Sequence, residues 1–414
     1  MNPKAAAQLL VVGSGMASAR LLSALREQGY QGRVTVVGEE PVPFYNRVLL
    51  PDYLAARQPL ETLCAQRPDG TALPFTLTVL NREAVIGFDP RARSATLASG
   101  RTLDWEALVL ATGSAAPRPS VPGIDYAGVH ALRNLADADT LAQLAQSPGN
   151  VVVIGGGLLG LEAAHALRAL GKPVTVVHRH RELLNRQLDG PAAALLQAAL
   201  VQQGIDFAMN DTLCAVDGGA DGHVQGVRLN SGAQLACHTV LLATGTRARD
   251  RLGAAAGLET DDGVLVNEHL ETEVPNVFAI GECARVCDPQ GQHRYGLVAP
   301  VHRQAEALAA RLSGGRQRFV APPASTRLKV AGITLYSAGD IARLRTADPR
   351  LDIRTVRHDR RGLYRRLAFD NNRLIAAVLL GDSRGSTAIE ASFDGAPCSA
   401  LQQDALLLGT AAAA

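Results

Sequence analysis

The sequence predicts a mixed α/β chain: two domains built on parallel sheets, the second inserted in the first, followed by a small C-terminal α+β domain. Three observations carry this expectation. A strand, glycine turn, helix and second strand run through QLLVVGSGMASARLLSALREQG and RVTVVGEE, and again through NVVVIGGGLLGLEAAHALRALG and PVTVVHR. Each unit closes on an apolar strand ending in Ala-Thr-Gly, LVLATGS at 108–114 and LLATGT at 241–246. A third apolar strand, VFAIGEC at 277–283, follows the second unit but belongs with the first, which makes the second an insertion.

The elements follow in order. QLLVV is a short apolar run of the kind a strand buried in a parallel sheet needs, and it leads directly into glycines. The helical pattern after it stops at Gly29, and RVTVVGEE forms the next strand. The second unit repeats the order. These readings place a first domain at 1–120 and 245–315 and the inserted domain at 121–244. The helix in YGLVAPVHRQAEALAARL closes the first domain. From about residue 316 the texture changes. STRLKVAGITLYSAGD and LDIRTVRHD read as strands, and RGLYRRLAFDNNRLIAAVLLGD as a hairpin turning at Asn371–Asn372. A C-terminal domain at 316–395 results, and residues 396–414, ending in LLLGTAAAA, read as a frayed tail.

Composition sets limits. A chain of 414 residues with 47% hydrophobic residues has ample core for two or three domains. A net charge of +2 argues neither for a nucleic-acid binder nor for a membrane-surface protein, and no apolar run reaches the roughly 18–20 residues of a membrane span. MNPKAAAQLLVVGSG runs straight into a strand, so no signal peptide is expected. The six cysteines are scattered without a CxxC pair, and a cytoplasmic location is expected.

The two turns carry the chemistry. Gly13 permits the strand-to-helix bend and Gly15 the approach of a pyrophosphate to the backbone. The helix start offers the anion unpaired N–H groups and a positive dipole end. Ser18 takes the third fingerprint position, and Glu39, with Glu40 beside it, ends the second strand where a carboxylate accepts ribose hydroxyls. The second turn has Gly155, Gly157 and Gly160 at full spacing, but His178 ends its second strand, inside HRHR. That stretch reads either as a solvated basic turn or as a site where His178, Arg179 and Arg181 offset a 2′-phosphate. Two dinucleotide sites in one Rossmann-like pair imply two cofactors that exchange electrons: FAD held in one, NAD(P)H visiting the other. The local charge leans towards NADPH. No His or Cys cluster has metal-ligand spacing.

These motifs resemble the FAD-dependent pyridine-nucleotide oxidoreductases. FYNRVLL, GGGLLGLEAA, NRQLD, AIGEC, YGLVAPV and LKVAGITLYSAGD resemble one branch in particular. It holds the flavoprotein portion of assimilatory NAD(P)H nitrite reductases and the electron-transfer subunit of assimilatory nitrate reductases. The resemblance implies that Gly13, Gly15, Ser18, Glu39, Arg47, Thr112, Gly113, Gly281, Glu282 and Val298 serve FAD. It implies Gly155, Gly157, Gly160, Glu162, His178, Arg179 and Gly245 for NAD(P)H, with Glu162 near the nicotinamide amide. It leans, against the local charge, towards NADH, the favoured reductant. Chemistry is then hydride transfer through the flavin, without a side-chain acid or base. Ferredoxin-reductase-like cousins carry a lysine that pairs with that glutamate; the matching position here is Asp52. Disulfide reductases place a CxxxxC pair where this chain reads FYNRVLLPDYL. Cys283 and Cys287 in CARVC read as small packed residues.

The resulting expectation is an electron-transfer subunit that takes electrons from NADH through FAD to a molybdenum/iron–sulfur nitrate reductase catalytic subunit. It is not expected to reduce nitrate or nitrite by itself. A rubredoxin or ferredoxin reductase serving a small iron–sulfur protein is the enzyme alternative. A nucleotide-responsive flavoprotein that controls protein association is the alternative of another class. RTVRHDRRGLYRR, with six arginines, reads as a solvated hairpin face or as a docking patch for an acidic redox partner through Arg357, Arg360, Arg361 and Arg365.

Overall fold

The computed structural model describes residues 8–410 apart from 66, 69–71, 290, 331, 347 and 394. The chain forms two compact units. One comprises Met1–Leu50, Gln58–Ala115 and Thr246–Pro322, and the other Pro51–Arg57, Ala116–Gly245 and Pro323–Ala414.

In the first unit, β1 (Gln8–Val12) leads through the glycine turn into α1 (Met16–Glu27), then β2 (Arg33–Gly38), β3 (Thr76–Asn81) and β4 (Ala107–Leu110). β1 pairs in parallel with both β2 and β4, and β2 with β3. Leu9, Leu10, Val11, Leu108 and Val109 are buried, as central parallel strands require. The helix ends at Gln28, and Gly29, with φ +69°, turns the chain back as the sequence suggested.

The inserted sheet repeats the plan. β5 (Val129–Ala131), α2 (Leu135–Leu144), β6 (Val151–Ile154), α3 (Leu158–Ala169), β7 (Val174–His178), α4 (Gly190–Gln202), β8 (Ile205–Met209) and β9 (Thr239–Leu242) follow in turn. The order across the sheet is β8-β7-β6-β9-β5, all parallel. Helix α4 starts on Asp189, whose carboxylate accepts from the Ala192 N–H. The chain then returns: β10 (Val277–Ala279) adds to the free edge of β4, and α5 (Val298–Leu312) packs against α1. The late strand therefore completes the first sheet, which makes the second domain an insertion.

The C-terminal domain is an antiparallel sheet in the order β11-β12-β15-β14-β13. Its strands are β11 (Ser325–Val330), β12 (Ile333–Gly339), β13 (Asp352–His358), β14 (Leu363–Asp370) and β15 (Arg373–Leu380), with α6 (Ile341–Arg345) between β12 and β13. Asn371 and Asn372 both have positive φ, +49° and +61°, the requirement of a tight two-residue hairpin turn. Within the segment expected to be a frayed tail, Ala400–Leu408 forms a helix. A reciprocal Ser399–Gln402 cap starts it, Gly409 ends it in the left-handed conformation, and Leu406 and Leu407 pack into the domain core.

Candidate functional site

The two glycine turns have one geometry, and its causes are separable. The N–H groups of Gly13 and Gly155 donate to Val37 and Val177 on the neighbouring strands, at 2.7 and 2.8 Å. Both glycines have positive φ, and a Cβ there would stand 2.3 Å from the Ala111 carbonyl oxygen and 2.2 Å from that of Ala243. Those alanines open the two Ala-Thr-Gly segments, so each turn crosses directly over the strand end that follows it. The next glycines are different. A Cβ on Gly157 would meet nothing within 4 Å, and one on Gly15 only the Arg47 guanidinium, at 3.7 and 3.8 Å.

Each of these second glycines is the N-cap of its helix, with no side-chain cap and no acidic residue in the first turn. Open space, orphaned N–H groups and a positive dipole end form a cradle for a phosphate group. The residues present therefore fit a dinucleotide at both turns. At the third position a Cβ on Gly160 would lie 1.9 Å from the Gly155 carbonyl oxygen, whereas buried Ser18 donates its hydroxyl to the Gly13 carbonyl at 2.5 Å.

Around the first cradle, Glu40 is already engaged, accepting from the Tyr45 hydroxyl at 2.6 Å and from Arg47. Glu39 stays two-thirds exposed, touched by Arg249 at 3.2 Å. Of the two acids that the sequence left open, Glu39 is the one that faces outward. Arg47 bridges Glu40 and the space over Gly15, against the face of the Tyr45 ring. Thr112 donates to the Arg249 carbonyl at 2.6 Å, and Gly113, at φ +71°, leaves open space. Glu282 accepts from the Ser114 hydroxyl at 2.6 Å, which places it at the end of β4. Gly281 beside it has its N–H held by Gln304 at 2.7 Å. Val298 begins α5, whose start again lacks a side-chain cap or an acid.

Sequence reasoning missed Gln304. It is fully buried on α5, and its amide nitrogen has no protein partner. The available signal was one amide on the otherwise apolar face that Val301, Ala305 and Leu308 form.

At the second cradle, Glu162 sits on α3, half-buried. Burial, and then the charge of Asp52, push its carboxyl up to about 7. Asp52 reaches it because Pro51–Arg57 belongs to this unit: the Tyr53 hydroxyl donates to Asp139 at 2.8 Å and Arg57 meets the His165 ring at 2.9 Å. Gly245, at φ +118°, leaves open space at the end of β9.

His178 departs from its expected placement. Its ring is buried, with Nδ1 accepting from the Gly156 N–H at 3.1 Å. Nε2 therefore carries the proton and donates to the Glu182 carbonyl at 3.1 Å. Burial, with His180 nearby, lowers its pKa, so a neutral ring fills this strand end and offers no charge to a phosphate. Arg179 and Arg181 remain exposed.

The docking-patch expectation changes at Arg365, while the reading of Cys283 as a packed residue holds. Arg365 is buried, and its guanidinium donates to the carbonyls of Leu407, Asp382, Arg384 and Leu406, while Arg366 pairs with Asp189 at 2.8 Å. Arg365 is therefore withdrawn from the surface; Arg360 and Arg361 stay exposed, and Arg357 pairs with Asp359. The Cys283 thiol is buried, donating to the Leu110 and Ile280 carbonyls at 3.4 and 3.3 Å, and burial raises its pKa. Among the described residues no group of three or more His, Cys, Asp or Glu could hold a metal, and no helix is long and apolar enough to cross a membrane.

Comparison with known proteins agrees with this geometry. Residues 7–305 match the family model described as pyridine nucleotide-disulphide oxidoreductase, and residues 323–394 that of the rubredoxin NAD+ reductase C-terminal domain. The chain is 35% identical to a nitrite reductase [NAD(P)H] of Bacillus subtilis (strain 168) over 91% of its own length and 46% of the relative's. To the assimilatory nitrate reductase electron transfer subunit of the same organism it is 32% identical, over 91% of this chain and 48% of that one. It thus spans about half the length of these relatives. A rubredoxin-NAD(+) reductase of Ectopseudomonas oleovorans is 31% identical over 68% of this chain and 73% of the relative. The fold matches that of the solved covalent putidaredoxin reductase–putidaredoxin complex, with a TM-score of 0.82 and 24% identity over 97% and 95% of the two chains. The chain belongs to the pyridine nucleotide-disulphide oxidoreductase family, an FAD-dependent oxidoreductase class with NAD(P)H as its second cofactor.

Proposed function

We propose that this chain is an electron-input flavoprotein, taking electrons from NADH and delivering them to the molybdenum/iron–sulfur catalytic subunit of an assimilatory nitrate reductase. The observation that carries the reading is the pair of open, uncapped, acid-free helix starts at Gly15 and Gly157, in a chain alike over 91% of its length to an electron transfer subunit of that kind. FAD, once bound, accepts a hydride as an electron pair and releases electrons singly. The protein's part is to bind and orient. Gly13, Gly15, Ser18 and the start of α1 hold the FAD pyrophosphate, Arg47 stands over it, and Glu39 takes the ribose hydroxyls. Thr112, Gly113, Gly281 and Glu282 line the path of the ribityl chain, and Val298 opens the helix at the flavin ring. Gly155, Gly157, Gly160 and Gly245 hold the nicotinamide nucleotide, Arg179 meets its adenosine end, and Glu162 presents a carboxyl to the nicotinamide amide. His178 shapes the turn from within.

Domain roles follow from these assignments: FAD at 1–120 and 245–315, NAD(P)H at 121–244, and an interface domain from 316. The second reading, a reductase of rubredoxin or ferredoxin, rests on the match of residues 323–394 to a rubredoxin NAD+ reductase C-terminal domain. The two part on the acceptor. Rates of NADH-driven reduction of a nitrate reductase catalytic subunit, a rubredoxin and a ferredoxin, measured side by side, decide between them. Faster reduction of either small protein than of the catalytic subunit would overturn the first reading.

A further inference from the structure

The segment from His178 to Asp189 is tied at both ends. At one end the His178 ring holds the Gly156 N–H of the second glycine turn, and the Leu184 N–H donates to the Gly156 carbonyl at 3.3 Å. Gly156 has no room to spare, since a Cβ there would stand 2.8 Å from both the His178 ring and the Leu183 side chain. At the other end the partners come from the C-terminal domain. Arg345 on α6 donates to the Glu182 carboxylate at 2.5 Å and to the Leu188 carbonyl at 2.7 Å. Tyr364 on β14 donates its hydroxyl to the buried carboxylate of Asp189 at 2.5 Å, and Arg366 adds a bond at 2.8 Å.

The strap is anchored by these charge-assisted bonds and by the buried side chains of Leu183, Leu184 and Leu188. Leu184 is held at φ +49°, a left-handed conformation that a leucine keeps only where the surroundings impose it. Arg179 and Arg181, exposed at the start of the strap, occupy the strand end where a Rossmann turn meets the adenosine half of its nucleotide, while the equally exposed Arg186 lies further along it.

We infer that Arg345 and Tyr364, although in the C-terminal domain, are positioning residues for the nicotinamide nucleotide. They hold the strap against the second glycine turn and so fix Arg179 and Arg181 at the adenosine end. The inference rests on the reading of Gly155–Gly160 as the nicotinamide-nucleotide turn. It makes the C-terminal domain part of nucleotide recognition through contacts with the strap alone.

The test titrates the full-length holoprotein with 5′-AMP and with 2′,5′-ADP, probes of the adenosine half, by calorimetry. Arg345→Met and Tyr364→Phe are expected to weaken both probes by about threefold to thirtyfold while FAD content stays that of the wild type. The loss is larger for 2′,5′-ADP, because its extra phosphate depends on where Arg179 and Arg181 stand. Arg345→Lys, which keeps the charge, recovers part of the affinity. Arg327→Met, which breaks an ion pair with Glu390 inside the C-terminal domain, leaves both affinities unchanged. Wild-type affinity in both Arg345→Met and Tyr364→Phe overturns the inference, as does an equal loss in Arg327→Met. A wild-type protein that binds neither probe overturns the reading of the turn itself, and this inference with it.

Discussion

The Ser18 hydroxyl donates to the Gly13 carbonyl at 2.5 Å, at the fingerprint position where the second turn has Gly160 packed on Gly155. The first turn is thus wide enough for a side chain and uses it as a clasp; the second is closed to any Cβ. Gly160→Ser is expected to destabilise the protein by roughly 1–3 kcal/mol through overpacking against backbone and to abolish nucleotide binding. Ser18→Ala, which loses one hydrogen bond, costs about 1 kcal/mol and keeps FAD. Chemical unfolding with flavin absorbance per chain checks both; equal tolerance of the two substitutions contradicts the distinction.

Gly15 separates binding from folding. Its Cβ position faces only the tip of Arg47, so Gly15→Val leaves the fold intact while filling the cradle. The expected product is a folded, colourless protein, and full FAD occupancy in that variant would count against the first site.

Glu162 gives a pH dependence with a defined sign. Its carboxyl is raised from 4.5 to about 7 in the folded chain, so between those values the unfolded chain has released a proton that the folded one keeps. Stability contributed by the protonated form is complete below about 4.5 and is lost as pH rises towards 7. Asp52 on the neighbouring segment is the charge that acts on it, and Asp52 itself pairs with Arg57 at 3.8 Å. Glu162→Gln removes this slope, and at pH 8 it is expected to be more stable than wild type by on the order of 1–3 kcal/mol. Denaturant unfolding of the FAD-free protein at pH 5 and 8 measures it; parallel pH profiles for variant and wild type would refute the assignment.

Much of this was legible in local sequence. The glycine turns, the late strand completing the first sheet and the Asn371–Asn372 hairpin each follow from short-range rules: buried apolar runs, positive φ, and the place of glycine at a strand end. What escaped depends on tertiary surroundings. Nothing local says that His178 turns inward onto Gly156, or that Arg365 spends its donors on four carbonyls, two of them at the end of the last helix. The same gap hid Gln304 behind an apolar helix face and turned an alanine- and leucine-rich tail into a capped helix.

Arg365 and Arg360 should accordingly behave as opposites. Arg365→Met leaves several carbonyls without a donor and is expected to cost roughly 2–3 kcal/mol. Arg360→Gln at the exposed tip stays within about 0.5 kcal/mol of wild type. Thermal unfolding of the two variants shows the contrast, and a harmless Arg365→Met would contradict the burial argument.

Weak nucleotide discrimination follows from a neutral His178, rather than a carboxylate, ending β7. NADH and NADPH are expected to reduce the flavin with efficiencies within about tenfold of each other, because no carboxylate ends that strand to repel a 2′-phosphate and the exposed arginines favour one, while the family resemblance puts NADH ahead. Stopped-flow reduction with each nucleotide measures it, and a strong preference for NADPH would overturn the ordering.

The central claim is that electrons enter here and leave to a separate metalloprotein. The direct measurement combines this protein, NADH and nitrate, with and without a molybdenum-containing catalytic subunit, and follows nitrite. Nitrite is expected only when both proteins are present, at a rate that falls as salt rises if exposed arginines such as Arg360 and Arg361 steer the encounter. Nitrite formed by this chain and NADH alone would contradict the account.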